Sequence, residues 1–149
     1  MRAEDGPALA RSLTVLQLRV AARLRTALAA ADASLEEWWV LDYVTAHPGR
    51  PTSEVAAHAL LPAASMTKLV DRLVDTNAVY RKSDSSDRRR CLLFPTVRGL
   101  DRHARLRSAV DAEDAAIADL IGSEVLLDLG RAVDDAAGRL APRGGQPIA

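Results

Sequence analysis

The stretch AASMTKLVDRLVDTNAVYRKSDSSDRRRCLLFPT, residues 63–96, decides the fold. Met66, Leu69, Val70 and Leu73 recur at helical spacing and predict a helix over 63–76 with one apolar face. Ala64, Ser65, Thr67, Lys68 and Arg72 then point outward. Asn77 follows, a residue that tolerates the left-handed backbone at a helix end. The character then changes. Ala78 to Lys82 and Arg90 to Phe94 are the β-leaning runs of the chain, and the polar segment Ser83 to Arg89 separates them. That pattern reads as a hairpin with a charged tip. Pro95 ends its second strand and Thr96 can cap what comes next.

Upstream, Thr52 is a candidate N-cap for a short helix, Ser53 to Ala59, and Leu60-Leu61-Pro62 makes a tight turn into the helix already described. Pro48-Gly49-Arg50-Pro51 closes an earlier helix, 35–46, because neither proline can continue it. Ser34-Leu35-Glu36-Glu37 opens that helix with capping-box spacing, so Glu37 is expected to reach back to the cap. Before it, Leu9, Leu13, Leu16, Val20, Leu24 and Leu28 form one stripe of a first helix ending near Ala31. Downstream, a long helix runs to about Ile121, Gly122-Ser123 interrupts it, and a last helix carries Leu126, Leu129, Val133, Ala137 and Leu140. The Pro/Gly-rich segment 142–149 is expected to be disordered. The order is four helices, a hairpin and two helices: a mainly α fold with a small β-hairpin wing. One domain is expected over 1–149, with a winged helix-turn-helix core at 35–96 and dimerisation helices at 9–31 and 97–141.

The formal net charge is zero, but its distribution is not uniform. From Val79 to Arg107 nine cations face three acids; from Asp111 to Asp135 eight acids face only Arg131. A chain so divided can turn one face toward a polyanion while staying neutral overall. No run approaches the roughly 20 apolar residues of a membrane span, and the acidic N-terminus with Pro7 lacks a signal-peptide pattern. A cytoplasmic protein fits these features. A single cysteine, Cys91, excludes an internal disulfide framework and is read as a buried strand residue. His47, His58 and His103 stand far apart without metal-ligand spacing and are expected in exposed or capping roles. No nucleophile–base order or phosphate loop suggests an enzyme, and no cofactor or metal is expected.

The residues Met66 to Leu73, ending in Val70-Asp71-Arg72-Leu73, together with Asp84-Ser85-Ser86-Asp87-Arg88-Arg89, resemble the MarR family of winged helix-turn-helix transcription regulators. Pro48-Gly49 and Thr96-x-x-Gly99 match as well, and the resemblance extends over about residues 9–140. Departures fall at Ser86, where the family often has Arg; at Pro62, where it usually has a Ser-like cap; and at Asn77, where Gly is usual.

The resemblance implies a homodimer bound to double-stranded DNA at a pseudo-palindromic operator, and a repressor. Ala64, Ser65, Thr67, Lys68 and Arg72 would face the major groove, and Arg88, Arg89 and Arg90 the minor groove and backbone. Asp84 and Asp87 would pair with neighbouring arginines and fix the hairpin tip. A small aromatic or phenolic effector, met by Trp38, Trp39 and Arg19, would release DNA. The alternative, suggested by Ser86 and Pro62, is a winged-helix protein-interaction module without DNA binding.

Overall fold

A computed structural model describes residues 5–141. The elements are α1 (Asp5–Ala29), α2 (Leu35–Ala46), β1 (Arg50–Pro51), α3 (Thr52–His58), α4 (Ala63–Asp75), β2 (Val79–Ser83), β3 (Cys91–Pro95), α5 (Val97–Ile121) and α6 (Ser123–Leu140). The segment 142–149, expected to be disordered, lies outside the described residues.

Each boundary of the central region has a local cause. The Glu37 amide donates to Ser34 Oγ at 3.1 Å and so starts α2. After α3, Leu60 takes a positive φ of 53° and the Leu61 amide donates to Ala56 O at 2.9 Å, which turns the chain sharply into α4. Asn77 takes φ 56° at the end of α4, as its identity predicts, and the Ala78 amide returns to Leu73 O at 2.7 Å. Strands β2 and β3 pair antiparallel from Val79↔Pro95 to Ser83↔Cys91. Tyr80 and Phe94 stack across this pair, their ring centres 5.2 Å apart. Thr96 then accepts the Gly99 amide at 2.9 Å and donates to Asn77 O at 2.6 Å, so one side chain starts α5 and ties it to the end of α4.

Several expectations need correction. The sheet has three strands in the order β1-β3-β2, not two. Arg50 and Pro51 pair with Leu93 and Leu92 at the edge of the sheet, where the missing proline N–H does least harm. This pairing draws Thr52 against β3. Its hydroxyl donates to Cys91 O at 3.1 Å, and Pro51, not Thr52, occupies the α3 N-cap position. Glu37 does not reach back to its cap; it is captured by Arg102. Helix α1 begins earlier than its stripe suggests and stops at Ala29, before Asp32 takes a positive φ. The strands sit one residue later than predicted, and Cys91, at the start of β3, is half-buried rather than buried.

The chain divides within α5 into two compact units, at Val110 and Asp111. The first holds the core: Leu28, Leu35, Leu41, Val44, Val55, Leu73, Val79, Leu93 and Leu106 are completely or almost completely buried. The second contains the end of α5 and all of α6, a helix with no buried residue.

Candidate nucleic-acid interface

Helix α4 has the two faces its sequence predicts. Met66, Leu69, Val70 and Leu73 are buried, and Ala64, Ser65, Thr67 and Lys68 are exposed. Pro62 supplies no side-chain cap, so the first-turn amides of α4 carry no side-chain partner there. Thr67 is partly occupied, because its hydroxyl donates to Ala63 O at 3.0 Å and leaves only acceptor capacity for an outside group. Arg72 is exposed too, and its Nη2 lies 3.7 Å from Glu37 Oε2 of α2. Asp71 also points outward, held by Arg81 of β2 at 2.6 Å. This ion pair fixes the wing strand to the exposed side of α4, and sequence spacing does not anticipate it.

The tip of the hairpin is built by short-range bonds. Asp84 Oδ1 accepts both the Ser86 amide at 2.9 Å and the Ser86 hydroxyl at 2.7 Å. The Asp84 amide donates to Arg90 O, and the Arg90 amide to Asp87 O, closing a turn. The Ser86 amide and hydroxyl, with Arg90 adding to them, hold the Asp84 carboxyl below the usual carboxylate range. Arg90 Nη1 lies 3.9 Å from Asp84, a loose pairing of the expected kind. Among the described residues Asp87 pairs with no guanidinium; it accepts the Arg89 amide at 3.0 Å. Ser86 therefore serves the hairpin as a polar pin. Arg88 and Arg89 are exposed, and neither guanidinium makes an ion pair among the described residues.

Trp38, Trp39 and Arg19 do not surround a common cavity. Trp38 is buried, stacked parallel with His103 at 5.3 Å and approached by Arg107 at 5.1 Å. Trp39 is half-buried beside the core, and Arg19 is exposed on α1 along a shallow cleft with Arg11 and Leu16. His103 is not exposed as expected: its Nε2 lies 2.8 Å from Asp42 Oδ1, which Arg107 also holds. His47 and His58 are exposed; His58 stacks on Tyr43, and His47 meets the same ring tilted at 53°. The Tyr43 hydroxyl donates to Glu54 at 2.8 Å, and that bond is the main reason its ionisation is pushed up.

A larger cavity of about 570 Å³ lies where the α1–α2 junction, α4 and the first turns of α5 meet. Arg72, Arg98, Arg102 and Arg105 line it together with Glu37, which is only 4% exposed. Glu37 holds two of these cations: Arg102 Nε donates to Oε1, and Arg72 approaches Oε2. The spacing of Arg98, Arg102 and Arg105, one stripe of a helix, is legible in the sequence; their place beside Arg72 and Glu37 around one cavity is not. Among the described residues no group of three His, Cys, Asp or Glu side chains gathers as a metal site would require, and no helix is long and apolar enough to cross a membrane.

A helix-turn-helix followed by an arginine-tipped hairpin defines a winged-helix protein. The MarR family profile matches residues 32–90, the segment that contains α2 to the wing tip. No curated protein matches the chain by sequence. Among solved structures, the chain is similar to the transcriptional repressor CouR bound to a 23-mer DNA duplex, at 23% identity and a TM-score of 0.81, over 92% of this chain and 99% of that one. It is also similar to the MarR-family protein RV2887 of Mycobacterium tuberculosis in complex with salicylic acid, at 26% identity and a TM-score of 0.66, over 83% and 95%. A third is NadR in complex with 4-hydroxyphenylacetate, at 23% identity and a TM-score of 0.73, over 85% and 89%. The chain thus has the winged-helix fold of these structures and carries a MarR-type segment over residues 32–90.

Proposed function

We propose that the protein is a homodimeric repressor that binds a pseudo-palindromic operator in double-stranded DNA and is released by a small organic acid. Helix α4 enters the major groove with Ala64, Ser65 and Lys68 foremost, and the wing places Arg88 or Arg89 in the adjacent minor groove. The observation that carries this reading is the pairing of two features on one small unit. One face of α4 is fully used by the core, and two unpaired guanidiniums stand at the tip of the hairpin tied to that helix. The likeness to a DNA-bound repressor supports it, and the acids bound to RV2887 and NadR support an acidic effector. Two copies with recognition helices about 34 Å apart would read two half-sites. The second copy would cover the apolar side chains that α1 and α6 leave exposed, among them Leu9, Leu13, Leu127 and Val133. Its place of action is the cytoplasm.

The test is Arg88→Ala with Arg89→Ala, measured against the promoter of the protein's own gene over a range of salt. Affinity falls, and the slope of log affinity against log salt becomes shallower by about one unit for each phosphate no longer neutralised. Unchanged affinity and slope would reject the wing assignment. A wild-type protein that ignores every duplex at low salt would instead point to a protein-interaction module.

A further inference from the structure

We infer that Leu60, in the turn before α4, is a specificity-determining residue that reads the 5-methyl group of thymine in the operator. This role rests on the DNA-binding function proposed above and names the base feature that this end of the recognition helix meets. Three non-glycine residues among those described take a positive φ: Asp32, Leu60 and Asn77. Asp and Asn tolerate that conformation, because their short polar side chains bond locally. Leucine does not, and a bulky residue held there stores strain. Packing does not offset it. Leu60 is 78% exposed, whereas its neighbour Leu61 is half-buried against the core. The turn itself is closed by backbone bonds: the Leu60 amide donates to Ala57 O at 3.2 Å and the Leu61 amide to Ala56 O at 2.9 Å. A glycine at position 60 would make the same bonds without strain. The fold thus accounts for the backbone at this position but not for the isobutyl group on it.

The surroundings of Leu60 indicate what does. From Ala59 to Ala64 no side chain is polar. Leu60, Pro62, Ala63 and Ala64 are exposed, and Pro62 gives the first turn of α4 no side-chain cap. This apolar end runs directly into the exposed face that carries Ser65 and Lys68. The N-terminal residues of a recognition helix are the ones that approach base edges. Those edges offer hydrogen-bond donors and acceptors to the major groove, and among them one projecting apolar group, the thymine methyl. Hydrocarbon pressed against a polar edge strips it of water without replacing its hydrogen bonds, whereas against the methyl apolar surface is buried on both sides. Leucine is the longest side chain of the exposed run and has the most apolar area to bury there.

The experiment uses the full-length protein and the promoter fragment of its own gene, prepared once with thymine and once with uracil throughout. Uracil keeps every hydrogen-bonding group of thymine and lacks only the methyl. The parent binds the uracil fragment about tenfold more weakly, since one buried methyl in each of two half-sites contributes about fourfold. Leu60→Gly binds the thymine fragment about tenfold more weakly than the parent does, and its two affinities lie within about twofold of each other. Combining the two changes isolates the contact between side chain and methyl. The glycine variant melts no lower than the parent, because it relieves the left-handed backbone. Leu60→Asn also suits that backbone; it behaves in the same way and covers the case in which glycine loosens the turn. A parent that binds both fragments alike, variants that keep the parental preference for thymine, or melting of both variants well below the parent would overturn the role of Leu60 and leave DNA binding itself intact. A parent that binds neither fragment at low salt would overturn both.

Discussion

Helices α4 and α6 carry equally regular apolar stripes, yet their fates are opposite. On α4, Met66, Leu69, Val70 and Leu73 are all buried. On α6, no residue is buried, Leu126 and Leu129 are half-exposed, and Val133 and Leu140 are 43% and 84% exposed. Periodicity states that a face needs cover; it does not state who provides it. For α4 the cover comes from the same chain: α2, β2 and, on α5, Leu106 and Val110 contribute to the shared core. For α6 no cover appears among the described residues, and our reading assigns it to a second copy of the chain.

The strongest way to break this comparison is to place charge on the uncovered stripe. Leu129→Asp with Val133→Asp should convert a dimer to a monomer in sedimentation equilibrium. Operator affinity should fall by orders of magnitude, because one half-site alone binds weakly. A double variant that remains dimeric would leave the exposed stripe of α6 without an explanation. The complementary substitution is Leu73→Ala on the covered stripe. It should lower the unfolding free energy by about 3 kcal/mol, the cost of emptying a packed leucine site. Chemical denaturation measures it, and a change near zero would mean that the α4 stripe is no better covered than that of α6.

A third change sharpens the question of how close the cover of α4 is. A Cβ built on Gly99 would stand 1.9 Å from Ala78 O, a backbone atom that cannot swing away. The Thr96 amide and hydroxyl already bond that same carbonyl. Gly99→Ala must push α5 off the end of α4 and should cost about 2 kcal/mol. Retention of the parental melting temperature would show that this junction yields more easily than its close packing suggests.

These cases also indicate what the sequence could reveal. Spacing alone located α4, its buried face and the hairpin, because three- and four-residue steps and a polar tip between β-leaning runs are local signals. Asn77 and the Ser34 cap were legible for the same reason: each acts within a few residues. The misreadings involve partners far along the chain. Glu37 fits a capping box by spacing, but Arg102, 65 residues away, captures it. Thr52 looks like an N-cap until β1 pairs with β3 and presents the Cys91 carbonyl to it. Charged side chains are long enough to choose among several partners, and sequence spacing does not rank distant ones. The cavity escaped notice for a related reason. Its arginine row was visible on α5, whereas its other walls come from α1, α2 and α4.

The smallest expected effect lies at the wing tip, where short-range bonds take the place of the buried stripe that orders α4. The Ser86 amide and hydroxyl, with Arg90 assisting, stabilise the charged form of Asp84 and lower its pKa. A carboxyl with a depressed folded-state value contributes order that is complete above the ordinary Asp value of about 3.9 and disappears as pH falls through the lower folded value. The Ser86 amide resonance should therefore titrate with a midpoint below about 3.9, while the amides of α4 hold their positions through that range. Asp84→Asn should remove this titration and weaken the tip without unfolding the core. A midpoint at or above the ordinary value would mean that the Asp84–Ser86 bonds do not persist in solution. The tip would then be ordered, if at all, only against DNA, and the contrast between a helix fixed by its core and a loop fixed by its own side chains would fail.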